Sequence, residues 1–126
     1  MKNACRTYFY IVGSARASEI AKELDIPMDT IKVSTLGDTT SMRIGFNDTY
    51  DVNVNNMFRS TLKDLLGKEE RLAELKSELG LDYYLVAVPE IASKGDEVHQ
   101  ILSLDADIVE FLYLSKATHD LDYYIF

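Results

Sequence analysis

Residues 102–126 read LSLDADIVEFLYLSKATHDLDYYIF, and the reading of this closing stretch decides the fold. Asp105 stands where a carboxylate can accept from the free N–H groups of a first helical turn. Leu104 and Val109 flank it at the spacing of a hydrophobic staple. A helix is therefore predicted over residues 106–116. The tyrosine-rich residues 121–126 follow as a strand. Residues 98–104 before the helix also read as a strand, so the chain closes strand, helix, strand.

Moving towards the N-terminus, residues 89–96 form a loop around Gly95, and residues 83–88 (YYLVAV) are apolar on both faces. Such a strand belongs in the middle of a sheet. Two helices precede it. The first is capped by Asn55 or Asn56, turns Phe58, Leu62, Leu65 and Leu66 inward, and ends at Gly67 in the left-handed region. The second starts near Lys68, turns Leu72, Leu75 and Leu79 inward, and ends at Gly80. Its charged residues, among them Glu69, Glu70, Arg71 and Glu74, make a solvated outer face.

The first half of the chain is richer in strands. Residues 6–12 (RTYFYIV) are a second candidate for a central strand. Ala17, Ile20, Ala21 and Leu24 recur at helical spacing, and Pro27 prevents continuation. Residues 31–35 form a strand ended by a Gly37-Asp38 turn. A hairpin is then expected. Met42, Ile44 and Phe46 alternate on one arm, Asn47, Asp48 and Thr49 turn, and Tyr50, Val52 and Val54 alternate on the return. Asp51, Asn53 and Asn55 share the opposite face of that return arm. The pattern predicts a single α+β domain over residues 1–126, with a mixed, largely antiparallel sheet and helices packed on one face.

The chain has 126 residues and a formal net charge of −8. That charge repels a phosphate backbone and suits a basic protein partner. Lys and Arg are scattered along the sequence, so no nucleic-acid partner is expected. Cys5 is the single cysteine, which excludes an internal disulfide and fits a reducing compartment. The N-terminal residues MKNACRTYFYIVGSAR lack a signal-peptide layout. No stretch approaches the roughly 20 apolar residues of a membrane span. The expectation is a cytoplasmic protein without membrane contact.

The residues that carry chemistry do not converge in the sequence. Nothing in the spacing joins Cys5 to His99 or His119 as a nucleophile and its base. The two histidines belong to no compact metal-binding set. Asp105, Asp107 and Glu110 lack the glycine and distal glutamate of a calcium loop, and read as carboxylates matched to a helix dipole. Gly13-Ser14-Ala15-Arg16 joins a strand to a helix and could cradle an anion, but it has neither a Walker lysine nor a run of glycines. No catalytic residue, cofactor or metal is expected. The eight tyrosines stand out. Tyr8 and Tyr10 share one strand face, while Tyr83, Tyr84, Tyr123 and Tyr124 belong to other strands. An aromatic sheet can stack bases, but the charge has the wrong sign and no basic residues interleave. Tyrosine also favours protein interfaces. The expected interaction face is Tyr8, Tyr10, Asp51, Asn53 and Asn55.

Two stretches carry a family resemblance. ARASEIAKELDIPMDT, after the opening strand, is similar to a helix whose end reads like ITxxLgixPt. The closing residues 102–126 look like a pattern of Leu, Asp, an Ile/Leu-rich helix and an Asp-x-Tyr strand. In these the chain resembles a mostly bacterial family, the domain-of-unknown-function 4279 family, over nearly its whole length. It departs from that family in having no tryptophan, with Phe46 in the place of one, and in a less basic turn after Pro27. The resemblance implies an α+β fold and no established activity or catalytic residues. Some relatives are encoded near toxin systems, which implies an immunity-like role.

Two classes of function follow. The first is a non-catalytic intracellular protein that binds another protein, with an inhibitor of a basic toxin as its sharpest form. The second is a small-ligand sensor or enzyme using the helix start at Gly13-Ser14-Ala15-Arg16 or a cleft beside the sheet. A homodimer through an edge strand built from the final DYYIF is compatible with either.

Overall fold

One long strand organises the molecule, whose computed structural model describes residues 4–49, 54–91, 104–122 and 124–125. This strand, β1 (Ala4–Gly13), lies at the centre of the sheet. The chain continues through α1 (Ala17–Leu24), a 3-10 turn at Met28–Thr30, β2 (Ile31–Leu36), β3 (Thr39–Thr49), α2 (Val54–Leu62) and α3 (Glu69–Leu79). It closes with β4 (Asp82–Ile91), α4 (Ala106–Ser115), β5 (Thr118–Leu121) and the two-residue β6 (Tyr124–Ile125). The strand order is β2-β3-β1-β4-β5, with β6 also pairing β4. β1 pairs antiparallel with β3 and β4, and β2 with β3; β5 and β6 run parallel to β4. This is the α+β architecture the sequence predicts, with a mostly antiparallel sheet and helices on one face.

The placement of β1 and β4 follows from their two apolar faces. Cys5, Phe9 and Ile11 of β1, Met42 and Ile44 of β3, and Tyr83, Leu85 and Ala87 of β4 form one side and join the core. The helices complete that core with Ile20 and Leu24 of α1, Met57, Phe58 and Leu62 of α2, Leu72 and Leu75 of α3, and Ile108 and Phe111 of α4. The Tyr83 hydroxyl donates to the Leu72 carbonyl at 2.7 Å, which ties β4 to α3 and gives a buried O–H its partner. Burial pushes the Tyr83 phenol well above its ordinary pKa.

Several local expectations are corrected. α1 buries the four residues the spacing singled out and ends before Pro27 as expected, with Asp25 in the left-handed region at φ 55°. The 42–54 hairpin is absent. The expected Gly37-Asp38 turn does join β2 to β3, but residues 39–49 are one strand, so the expected turn at Asn47, Asp48 and Thr49 does not form. Val54 opens α2, so Asn55 and Asn56 lie inside the helix and do not cap it. Tyr50, Asp51, Val52 and Asn53 lie outside the described residues. Leu66, expected inward, is exposed. β4 runs on through Pro89 to Ile91, and the remainder of the 89–96 loop and residues 98–103 lie outside the described residues. In place of the single strand expected over 121–126, the described residues form β5 from Thr118 to Leu121 and the separate β6 at Tyr124–Ile125.

One glycine decides which face Phe46 takes. Between the pairs Thr7↔Asn47 and Phe9↔Ile44, β1 contributes Tyr8 alone while β3 contributes Gly45 and Phe46. This is a β-bulge with its glycine at φ 66°. The extra residue reverses the alternation. Met42 and Ile44 point at the helices, whereas Phe46 turns to the other face and stacks on Tyr8 at 6.1 Å. Helix α2 presses on the bulge: a Cβ at position 45 would lie 2.1 Å from the Thr61 carbonyl oxygen. The Thr61 hydroxyl donates to the Gly45 carbonyl at 2.9 Å. Its single proton is thereby used, so the buried Thr7 hydroxyl, 2.8 Å away, donates to Thr61.

Gly45→Ala should therefore cost about 3 kcal/mol or more, from the left-handed backbone and the clash together. Urea unfolding at constant slope measures it; a loss below about 1 kcal/mol would show that α2 does not depend on this approach.

Candidate functional site

The face of the sheet away from the helices carries a row of aromatic rings. Tyr8 and Tyr10, two apart on β1, project to the same side by the strand period. Register sets Tyr84 of β4 opposite Tyr10, and the bulge brings Phe46 beside Tyr8. The ring centroids follow at 6.4 Å (Tyr84–Tyr10, tilted), 6.1 Å (Tyr10–Tyr8, edge-on) and 6.1 Å (Tyr8–Phe46, stacked). All four side chains are half-buried and none belongs to the core. The sequence expectation of an aromatic face at Tyr8 and Tyr10 thus lands on a surface no described helix covers.

Two cations stand among the rings. Lys32 of β2 and Arg43 of β3 are directly opposite one another in register. Like charges at that spacing repel. Neither has a carboxylate partner among the described residues, although the chain holds 21 acidic residues against 13 Lys and Arg. Each turns towards a ring instead. The Lys32 ammonium sits 3.8 Å over Phe46, and the Arg43 guanidinium carbon lies 5.0 Å from Tyr8 and 6.0 Å from Tyr10. Ring quadrupoles partly replace the missing carboxylates. A shallow depression of about 300 Å³ lies between them, lined by Tyr10, Lys32, Val33, Ser34, Ser41 and Arg43. At the far end of the face Arg6 pairs with Glu90 at 3.3 Å.

The other expected face residues are not on this surface. Asn55 lies on α2, in the helical layer, where its side-chain oxygen accepts from the Asp105 N–H at 2.8 Å. Asp51 and Asn53 lie outside the described residues. Lys32 and Arg43, separate in the linear sequence, meet here because β2 and β3 pair.

The remaining candidates have structural explanations. A Cβ at Gly13 would lie 2.5 Å from the Leu81 side chain, so close packing accounts for that glycine. Asp105 has the extended backbone of a helix cap but makes no side-chain cap bond. Its carboxylate accepts instead from Arg59, which also binds Asp107 and Asn56. That hydrogen bond holds the Asp107 carboxyl below its ordinary pKa. Leu104 is half-buried against the core while Val109 is exposed, so the expected staple does not close. Cys5 is buried. His119 faces the helices and meets the Phe58 ring edge-on at 5.6 Å; His99 lies outside the described residues. Among the described residues, no three His, Cys, Asp or Glu are placed to share a metal ion, and no helix is long and apolar enough to cross a membrane.

No family model, curated protein or solved structure matches the chain. The functional argument therefore stands on the geometry.

Two measurements check this electrostatic picture. In a double-mutant cycle of Lys32→Ser and Arg43→Ser, the coupling should be repulsive by about 0.2–1 kcal/mol and shrink as salt is raised. An attractive coupling at low salt would contradict it. His119 supplies the second check. Its buried Nε2 has no hydrogen-bond partner among the described residues. Burial pulls its pKa below 6.5, against a smaller opposing effect of Asp120. The unfolded chain then binds the proton more readily, so stability should rise with pH between the lowered value and 6.5, and fall on acidification. His119→Phe should flatten that slope in urea titrations at several pH values; an unchanged slope would assign it to other groups.

Proposed function

We propose that this chain is a non-catalytic binding domain whose partner is another protein, seated on the open face of the sheet. The row Tyr84–Tyr10–Tyr8–Phe46 with Arg43 and Lys32 among it carries the reading. Aromatic side chains and arginine are enriched where proteins meet, and a few of them supply most of the binding energy. The rings already hold one another half-buried, so docking would freeze fewer rotamers than a disordered surface would demand. The local charge refines the partner. The chain as a whole is acidic, but Lys32 and Arg43 make the β2–β3 end of this face cationic, so the patch that contacts that end carries carboxylates. An immunity-like inhibitor of a toxin is the sharpest form of the reading, because blocking a target needs a covering surface and no bond-making chemistry.

The test uses the protein that copurifies with the chain at low salt, with the complex rebuilt from the two purified components. Tyr8→Ser with Tyr10→Ser, and separately Arg43→Glu, should each weaken the complex by about tenfold or more. Arg43→Glu should also slow association and reduce its salt dependence. A control change on α3, Glu70→Ser, should leave affinity as it was. A chain recovered only in free form, or a complex indifferent to the sheet-face variants, would reject the reading.

A further inference from the structure

β2 is the outer strand at one end of the sheet and pairs only with β3 among the described residues. Its six residues keep unbroken register from Ile31↔Ile44 to Leu36↔Thr39, without a bulge or a proline. After the buried Ile31 every side chain is exposed, and Val33 and Leu36 are 43% and 86% exposed. An edge of this kind presents a row of backbone donors and acceptors to any extended chain. Natural edges are commonly guarded by a single lysine, and Lys32 could serve that purpose alone. A guard does not need a second cation in direct register behind it, as Arg43 is, since that arrangement repels within the fold itself.

From these observations we infer that the free edge of β2 accepts an extended segment of the partner protein as an additional strand, one in which acidic and apolar residues alternate. The inference rests on the protein-binding reading above and specifies how the partner is held. Alternation follows from the strand period. Side chains of the added strand that share the face of Lys32 and Ser34 would set carboxylates beside Lys32 and over the depression that Arg43 lines. The intervening side chains would fall on the opposite side, beside the exposed Val33. A second copy of this chain is a poor occupant, because two β2 strands side by side would bring two Lys32–Arg43 pairs together. Attraction between the added carboxylates and the two cations would relieve the repulsion that the free fold carries.

The test titrates the intact chain at low salt with an extended peptide of about eight residues alternating Glu and Val, followed by fluorescence anisotropy and by backbone amide shifts. Three comparison probes are a Lys/Val peptide, the Glu/Val peptide with alternate backbone amides methylated on both registers, and an oligouridylate of equal length. The inference expects shifts concentrated at residues 31–36. It also expects binding about tenfold or more weaker for the methylated and Lys/Val peptides, and for the chain carrying Lys32→Glu. Methylated and unmethylated peptides binding alike would overturn edge addition, and equal binding of the Lys/Val peptide would overturn the charge argument. Oligouridylate bound more tightly than the Glu/Val peptide would assign the surface to a nucleic acid. If the rebuilt complex responds to Tyr8 and Tyr10 but not to Lys32→Glu, edge addition fails while the sheet-face reading stands.

Discussion

The approach of α2 to the bulge at Gly45 is the contact on which the rest of the arrangement depends. The Thr61 carbonyl occupies the space a side chain at position 45 would need, and its hydroxyl bonds the carbonyl of the same glycine. Two consequences follow from this one contact. On the helical side, Phe58 and Leu62 are lowered into the core against Phe9, Met42 and Ile44. On the other side, the extra residue in β3 turns Phe46 outward to meet Tyr8 and lie under Lys32. The buried Thr7–Thr61 pair is tolerated in an otherwise apolar core because each hydroxyl has a partner, and a half-satisfied pair would be costly.

Charge is distributed differently over the two faces. In the helical layer the guanidinium groups are met by carboxylates. Arg59 joins α2 to Asp105 and Asp107 at the start of α4, and Arg71 joins α3 to Glu23 of α1 and to Glu74 and Glu78. These groups are exposed, so each pair adds little stability by itself, but together they fix how neighbouring helices are registered. On the sheet face, Arg43 and Lys32 have no carboxylate partner among the described residues and turn to ring faces. A ring compensates a cation less fully than a carboxylate, and it leaves the charge available to a ligand. That difference separates the pairs that hold the fold together from the pair read here as a binding feature.

How much of this was legible in the sequence depends on whether a residue's role is local. α1 was readable because Ala17, Ile20, Ala21 and Leu24 are spaced along a single helix. β1 and β4 were readable because burial on two faces leaves apolar residues at successive positions. The face of Phe46 was misread because alternation was extended through Gly45, although a lone glycine within a strand pattern is itself a bulge signal. Val54, Met57, Phe58, Thr61 and Leu62 fall at helical spacing, but Val54 also continues the strand-like alternation of Tyr50 and Val52 in the sequence, which hides the start of that series. At the candidate site, Tyr8 and Tyr10 were visible as neighbours on one strand. Tyr84, Phe46, Lys32 and Arg43 were not, because their meeting depends on strand order and register, which no linear spacing encodes.

The two edges of the sheet are protected unequally, and this decides where an incoming strand would be received. At the β4 side the outer pairing is made by short parallel pieces, Thr118–Leu121 and Tyr124–Ile125, with Asp122 between them donating its N–H to the Ala87 carbonyl at 3.0 Å. Short, interrupted strands are one of the ways proteins blunt an edge. That side includes Asp122, Tyr124 and Ile125 of the DYYIF segment, the edge expected to support a homodimer. At the β2 side the pairing is regular and antiparallel, the geometry that extends most readily by a further strand. Lys32 and Arg43, without a carboxylate partner among the described residues, lie at this second edge, together with exposed Val33 and Leu36. Backbone availability, apolar surface and uncompensated charge therefore coincide on one strand, and only an extended segment carrying both carboxylates and apolar side chains satisfies all three.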